Sequence, residues 1–137
     1  FDTFEGLPKT WRYFTGEVDR GQFDLQGCPP PIEDRRVRCV KGLFQETLGP
    51  FLSGHPIEGQ VVLHADADLY SSTLYVLTRC NDILRPGSVV IFDEFASVLD
   101  EFRALDDYCE AYMRDYEVVA VTRTPTDYFA HVAIRMR

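Results

Sequence analysis

Two short, almost uninterrupted apolar runs stand out in the second half of the chain. The first lies in the segment GQVVLHADAD, residues 59–68, and the second in SVVIFDEF, residues 88–95. Runs of β-branched residues of this length are typical of strands that are buried on both faces inside a parallel sheet. We therefore predict two doubly buried strands here, each ending in acidic residues.

A helical pattern follows the first run. Leucine recurs at helical intervals over residues 70–84. Ser71 or Ser72 can cap the first turn, and the segment Arg-Pro-Gly after Leu84 ends the pattern. The sequence thus predicts one helix that leads from the first strand to the second.

A second helix is predicted over residues 99–116, after the second run. Its polar face, which includes Asp100 and Glu101, is expected to be solvated. The apolar stripe of this helix consists of Leu99, Phe102, Leu105, Cys109, Tyr112, Met113 and Tyr116.

Two further strands are predicted at the end of the chain. Residues 116–124 are rich in valine, and residues 128–136 alternate apolar and polar side chains, with His131 on the polar face. Residues 125–127 connect them. Strands joined by so short a connection are expected to form an antiparallel pair.

The first third of the chain is less regular. Residues 1–8 indicate the end of a strand and a turn, and residues 9–36, with three consecutive prolines, indicate an irregular excursion or lid. A short strand is predicted over residues 36–42. A short helix over residues 43–54, broken at Gly49-Pro50, is expected to follow it.

The order strand, helix, strand, helix, strand, strand predicts an α/β fold. We expect a three-layer arrangement of one sheet with right-handed crossovers, helices on both faces and a C-terminal antiparallel strand pair. The length of 137 residues fits one domain, and no repeat or linker divides it, so a single domain over residues 1–137 is predicted.

Composition and charge exclude several classes of protein. The chain is 45% hydrophobic, and no apolar run approaches the roughly 18 residues of a membrane span. Its formal net charge is −8 without any cluster of basic residues, so we expect neither nucleic acid nor a membrane as partner. The cysteines lack the spacing of a zinc site, and they predict reduced thiols in a cytoplasmic protein. They are Cys28, Cys39, Cys80 and Cys109.

The acidic residues at the two strand ends are the candidate chemistry. Asp66 and Asp68 follow the first strand, and Asp93 and Glu94 follow the second. Neighbouring parallel strands end at the same edge of a sheet, where ligands bind in open α/β folds, so these side chains should converge. Clustered carboxylates repel one another unless a cation compensates, and their hard oxygens suit Mg²⁺. The alternative is that Asp68 caps the next helix and Glu94 faces water.

Five segments follow, in order, the pattern of a known family. They are FDTFEGLP, VKGLFQETLGPFL, LHADADLYSSTLYVL, LRPGSVVIFDEF and the acidic helix that begins near DEFRAL. Over about residues 1–110 the chain resembles the macrocin O-methyltransferase-like branch of the class I S-adenosylmethionine-dependent methyltransferases. The glycine-rich turn and central strand of that family have no counterpart in the sequence. The resemblance therefore implies a Rossmann-like methyltransferase fold that is truncated at its N-terminus.

This resemblance also implies site residues. Asp66, Asp93 and Glu94 match the metal ligands of the family, with Glu94 where many members have aspartate. Asp2 matches the acid that binds the ribose hydroxyls of the cofactor in this family. Gly42 matches a position where the backbone approaches the adenine. The structural alternatives are a solvated turn for Asp2 and an ordinary strand end for Gly42.

The implied reaction is transfer of a methyl group from S-adenosylmethionine to a hydroxyl of a small molecule, such as a sugar of a secondary metabolite. Mg²⁺ would hold the acceptor and lower the pKa of its hydroxyl, and Asp66 is the predicted catalytic residue. His64 is expected to pack within the sheet, and neither His55 nor His131 is assigned a catalytic role. The early aromatic residues either line an acceptor pocket or anchor their loop. They are Trp11, Tyr13, Phe14 and Phe23.

Three other hypotheses are open. An apolar strand ending in D-x-D also begins the haloacid-dehalogenase phosphotransferases, although Tyr70 replaces the usual threonine. A glycosyltransferase D-x-D would leave Asp93-Glu94 unexplained, and a non-catalytic relic of the methyltransferase fold would need no cofactor. The edge strand at residues 128–136 offers a contact surface for a second copy of the chain.

Overall fold

Six strands and three helices form among the residues that the computed structural model describes, which are residues 1–13, 16–123, 125 and 129–137. The chain divides into two compact units, residues 1–56 and residues 57–137. The first unit contains β1 (Trp11–Tyr13), β2 (Gly16–Val18) and α1 (Phe44–Gly54). The second contains β3 (Val62–Ala65), α2 (Tyr70–Cys80), β4 (Val89–Phe92), α3 (Glu101–Tyr112), β5 (Tyr116–Arg123) and β6 (Phe129–Met136).

A short antiparallel ladder organises the start of the first unit. β1 pairs with β2, with Trp11 opposite Val18, in a segment that was predicted to be irregular. The strand predicted over residues 36–42 is not formed, because this segment contributes only a parallel bridge between Lys41 and Asp2. Strands of three residues are too short for an alternating pattern to show in the sequence, so the ladder was missed.

α1 continues through Pro50 instead of breaking there. A break was expected because proline lacks an N–H and crowds the residue before it. Here that residue is Gly49, which has no Cβ to clash with the proline ring. The hydroxyl of Ser53 donates a hydrogen bond to the Gly49 carbonyl at 3.0 Å. The predicted break in this helix is therefore wrong.

The strands of the second unit form one mixed sheet in the order β3-β4-β6-β5. β3 and β4 are parallel, with Ala65 opposite Phe92, so the two strands end at the same edge. β6 is antiparallel to both β4 and β5, so the prediction of an edge strand at residues 128–136 is wrong. The α/β class and the C-terminal antiparallel pair are confirmed. The predicted connection at residues 125–127 lies mostly outside the described residues.

One face of this sheet forms the core of the second unit together with α2 and α3. Phe92 and Ile134 from the sheet and Leu77, Leu105 and Tyr108 from the helices are completely buried. The two helices also pack against each other. Helices were predicted on both faces of the sheet. Among the described residues of this unit, α2 and α3 cover one face.

β3 is not buried on both faces, which corrects the prediction for this strand. Val62 is 68% exposed, and His64 lies on the same exposed face. Among the described residues, β3 stands at the edge of this sheet and pairs with β4. β4 is better covered, since Val90 is completely buried and Ile91 is partly buried. An apolar run predicts a strand, but its burial depends on what packs against it.

The start of α2 is stabilised from another element and not by a serine. Its N-cap residue is Leu69, and no side chain of the cap bonds to the helix. Instead the Tyr70 N–H donates to the Oδ1 atom of Asp100 at 3.2 Å. The predicted serine cap and the alternative cap by Asp68 are both wrong. The helix ends at Cys80, before the predicted end at residue 84.

The buried face of α3 differs from the predicted stripe. Leu99 is 60% exposed and Met113 is 94% exposed, although both were assigned to the stripe. The helix begins at Glu101, so Leu99 belongs to the preceding loop and sets the wrong phase for the helical count. The residues of the helix that are actually buried are Glu101, Ala104, Leu105 and Tyr108.

Two expectations from composition can be compared with the structure. In the described part of the chain, no helix is long and apolar enough to cross a membrane. All four cysteines carry free thiols, as predicted, with Cys80 buried and Cys28 and Cys39 exposed. Burial raises the pKa of the Cys80 thiol to about 11, so this thiol is protonated at neutral pH.

Candidate functional site

β3 and β4 each run into an acidic loop. We call residues 66–69 the first acidic loop and residues 93–97 the second acidic loop. Because Ala65 and Phe92 pair in parallel, the two loops start side by side. Asp68 has a φ of 53°, a left-handed conformation that aspartate adopts more readily than most residues, and it turns the chain toward α2.

The four predicted acids approach one another at this edge. The pKa of Asp68 is raised from 3.8 to about 6, first by burial and then by the charges of Asp66, Glu94 and Asp93 in that order of importance. The pKa of Glu94 is also raised, first by burial and then by Asp93. Repulsion of this kind requires short separations between the charges. The acids therefore follow two strands that end at the same edge, and they lie within range of one another's charge.

Two histidines lie beside Asp93. The Nε2 atom of His131 is 3.3 Å from the Asp93 Oδ1 atom, and the Nε2 atom of His64 is 3.7 Å from the same oxygen. The prediction that His64 packs within the sheet is wrong, since its side chain is 56% exposed on the edge strand. His131 lies on the polar face of β6 as predicted, but its contact with Asp93 was missed. That contact depends on the pairing of β6 with β4, which places Val132 opposite Phe92.

Two acids at the start of α3 also belong to this region, although the sequence indicated that they were solvated. Glu101 is completely buried, and its Oε2 atom accepts a hydrogen bond from the Glu94 N–H at 2.9 Å. Asp100 is buried as well, and its Oδ2 atom accepts a hydrogen bond from the Ser97 hydroxyl at 2.6 Å. The sequence pattern did not identify them, because α3 carries several acids. Nothing in the local sequence distinguishes a buried acid from an exposed one.

Burial also controls the protonation of Glu101. It raises the pKa of this carboxyl from 4.5 to about 8, while the backbone amides of Glu94 and Ala67 act in the opposite direction. The charges of Asp68 and Asp66 are smaller contributions that are included in this rise. The Oε1 atom of Glu101 has no hydrogen-bond partner in the described residues. Glu101 is therefore a protonated acid at neutral pH, enclosed beside the carboxylate cluster.

The cluster suits a hard divalent cation in its chemistry, but it is not a preassembled cage. Carboxylate oxygens are the ligands that Mg²⁺ prefers, and this ion commonly keeps several waters beside one or two carboxylates. Within residues 1–13, 16–123, 125 and 129–137, no three His, Cys, Asp or Glu side chains form a group that could hold a metal ion. A cation would have to draw the acids together or bind them partly through water.

Asp2 and Gly42 lie beside each other in the first unit. The Gly42 N–H donates to the Asp2 carbonyl at 3.0 Å, and the Asp2 N–H donates to the Val40 carbonyl at 3.2 Å. The Asp2 carboxylate accepts a hydrogen bond from the Phe4 N–H at 2.5 Å, as in a turn. Gly42 has a φ of 135°, and a Cβ there would lie 2.8 Å from the Thr47 methyl carbon. The positive φ and the close Thr47 methyl group thus explain why glycine stands at this position without reference to any ligand.

The early aromatic residues divide between the two roles considered for them. Trp11 is buried, and its ring lies 5.1 Å from that of Tyr13, so these two anchor the ladder. Phe23 is 62% exposed. Phe14 lies outside the described residues.

A parallel strand pair with acids at its carboxyl edge, followed by an antiparallel C-terminal pair, places the second unit in the class I methyltransferase fold. Solved structures agree with this class. The structure of the O-methyltransferase NovP matches with a TM-score of 0.60 and 28% identity, over 75% of this chain and 38% of that one. The apo structure of CalS11, a TDP-rhamnose 3'-O-methyltransferase of calicheamicin biosynthesis, matches with a TM-score of 0.57 and 24% identity, over 82% of this chain and 45% of that one.

The family model described as Macrocin-O-methyltransferase (TylF) matches residues 30–128, and the chain belongs to this family. A Streptomyces olivaceus relative, 8-demethyl-8-(2,3-dimethoxy-alpha-L-rhamnosyl)-tetracenomycin-C 4'-O-methyltransferase, is 35% identical over 97 residues, which are 70% of this chain and 33% of the relative. Demethyldecarbamoylnovobiocin O-methyltransferase of Streptomyces niveus is 34% identical over 83 residues, covering 56% of this chain and 30% of that relative. The chain thus spans about a third of the length of these curated relatives.

Proposed function

We propose that this protein is an S-adenosylmethionine-dependent O-methyltransferase whose reaction is assisted by Mg²⁺. Membership of the macrocin O-methyltransferase family supports the reaction class. The observation that carries the site is the approach of Asp66, Asp93 and Glu94 at the carboxyl edge of β3 and β4, where their charges act on Asp68. This is the edge at which ligands bind in open α/β sheets.

The three acids have a defined role in this proposal. Asp66, Asp93 and Glu94 would hold Mg²⁺, which when bound lowers the pKa of the acceptor hydroxyl and favours its reaction with the methyl group. Asp66 is the proposed catalytic residue, because it follows β3 directly and has the largest effect among the neighbouring charges on the pKa of Asp68. His131 and His64 both contact the Oδ1 atom of Asp93, at 3.3 Å and 3.7 Å, and would help to orient its carboxylate. The protein thereby contributes charge and positioning to the transfer.

Asp2 and Gly42 are the proposed cofactor residues. The isolated parallel bridge between Asp2 and Lys41 and the hydrogen bond from the Gly42 N–H to the Asp2 carbonyl keep Asp2 and Gly42 beside each other. A carboxylate there can accept hydrogen bonds from two ribose hydroxyls, which are donors of matching spacing. The backbone of Gly42 offers close approach to a flat adenine ring, because it carries no side chain.

The proposed acceptor is a hydroxyl group on a small molecule, such as a sugar of a secondary metabolite. The relative from Streptomyces olivaceus acts, by its name, on a rhamnosyl tetracenomycin. The exposed ring of Phe23 is suited to contact an acceptor, since such pockets are mainly apolar. A single domain, a cytoplasmic location and self-association are further proposals that accompany this one.

Calorimetry would test the proposed function. S-adenosylhomocysteine is titrated into the polypeptide at its natural length, first with Mg²⁺ and then with EDTA, and we expect binding in both conditions. A separate titration with Mg²⁺ should be lost in Asp66→Ala and kept in Asp106→Ala, which removes an exposed acid on α3. Failure to bind the cofactor product would reject the methyltransferase proposal. Binding that persists in Asp66→Ala would reject the metal assignment alone.

A further inference from the structure

The first residues of α3 reach back to both acidic loops. Glu101 accepts a hydrogen bond from the Glu94 N–H in the second acidic loop, and the Ala67 amide in the first acidic loop also acts on its carboxyl group. Asp100 accepts a hydrogen bond from the Tyr70 N–H, directly after the first loop. One helix start is therefore tied to two loops that are far apart in the sequence.

The burial of Glu101 needs an explanation. Its side chain is completely enclosed, and its Oε1 atom lacks a hydrogen-bond partner in the described part of the chain. Enclosing a carboxyl group with an unsatisfied oxygen opposes folding, and an apolar side chain of similar size would avoid that cost. Its neighbours on the buried face of α3, Ala104 and Leu105, are apolar. Glu101 differs from Ala104 and Leu105 because it contacts the acidic loops.

We propose that Glu101 is a positioning residue that fixes the spacing between the two acidic loops, and through it the affinity of Asp66, Asp93 and Glu94 for a divalent cation. Its carboxyl group accepts the hydrogen bond from the Glu94 N–H of the second acidic loop, and the Ala67 amide of the first acidic loop also acts on it. Groups that hold metal ligands in place commonly affect metal affinity without touching the metal. The inference rests on the proposed function for its metal, but the geometry of the loops can be measured without one.

Two variants separate the effect of the Glu101 side-chain length from the effect of its carboxyl group. Both are made in the polypeptide at its natural length. Glu101→Gln keeps the length and an acceptor oxygen, whereas Glu101→Asp keeps the acid but shortens the side chain by one methylene. We expect Glu101→Asp to weaken Mg²⁺ binding about 10- to 100-fold in calorimetry, and Glu101→Gln to weaken it less than about threefold. Leu105→Ala is the control, because it removes an apolar side chain from the same buried face of α3 and leaves the Glu101 carboxyl group in place.

Amide hydrogen exchange without metal gives a second readout. We expect the amides of Glu94 and of residues 66–69 to exchange about tenfold faster in Glu101→Asp than in Glu101→Gln or in Leu105→Ala at matched stability. Unchanged exchange in Glu101→Asp, or equal acceleration in Leu105→Ala, would overturn the positioning role. If the unaltered protein binds no Mg²⁺, the metal part of the proposed function fails, and the exchange rates alone decide whether Glu101 holds the loops.

Discussion

Asp68 combines a left-handed backbone with a crowded electrostatic environment, and both bear on stability. Its pKa is raised to about 6, so the folded state binds a proton that the unfolded state releases above about pH 4. The free energy of unfolding therefore falls as the pH rises from about 4 to about 6, and the loss persists above that range.

Asp68→Asn should remove this loss without adding backbone strain, because asparagine also tolerates the left-handed region. We expect the free energy of unfolding to rise by about 1 to 2 kcal/mol at pH 7.5 and to be unchanged near pH 3.5, as measured by urea unfolding. Asp106→Asn, at an exposed site on α3, is the control and should have little effect at either pH. An equal gain at both pH values would show that repulsion is not the cause.

Gly42 allows its structural role to be separated from the proposed role in cofactor binding. A methyl group there would meet the Thr47 methyl carbon at 2.8 Å on a backbone with a φ of 135°. Gly42→Ala should therefore lower the free energy of unfolding by more than about 1 kcal/mol. Gly54→Ala, at a helical site with nothing within 4 Å of the added Cβ, should be neutral or slightly stabilising. Thermal unfolding compares the two, and equal stabilities would contradict the structural role.

At the scale of elements, β3 and β4 have similar sequences but different surroundings. Val90 is completely buried in β4, whereas Val62 in the edge strand β3 is 68% exposed. In the chain of 137 residues, Val90→Ala should cost about 2 kcal/mol of stability and Val62→Ala less than about 0.5 kcal/mol. Denaturant unfolding of the two variants checks this. Similar losses would mean that the outer face of β3 is covered in solution.

The elements also show where sequence patterns succeed. The strands at β3, β4, β5 and β6 were all predicted, because each pattern lies within a few consecutive residues. The phase of α3 was wrong, since Leu99 precedes the helix and the buried face includes an acid, Glu101. Periodicity counts apolar residues, so it cannot find a buried face that contains a carboxyl group.

At the scale of the whole molecule, the net charge of −8 dominates the long-range field. We expect no change in fluorescence anisotropy when the protein is added to labelled duplex DNA at about 150 mM salt, up to about 10 µM protein. The negative field should instead attract divalent cations. This agrees with the cation site that is proposed at the acidic edge of the sheet. Saturable binding to DNA at that salt concentration would contradict the expectation.

The sequence by itself determined the α/β class, the two strands that end in acids and the resemblance to the macrocin O-methyltransferases, which the family match confirms. It also predicted that Asp66, Asp68, Asp93 and Glu94 would converge. These conclusions depend on short segments and on a general rule about parallel strands, so no knowledge of distant contacts was required.

Only the tertiary structure decided which other groups stand around those acids. His131 meets Asp93 because β6 pairs with β4, and Glu101 meets the Glu94 amide because α3 folds back over the loops. Each contact joins residues whose separation along the chain carries no local pattern. Their burial and protonation follow from packing, since an isolated histidine or glutamate in a sequence looks the same whether it faces water or a neighbour.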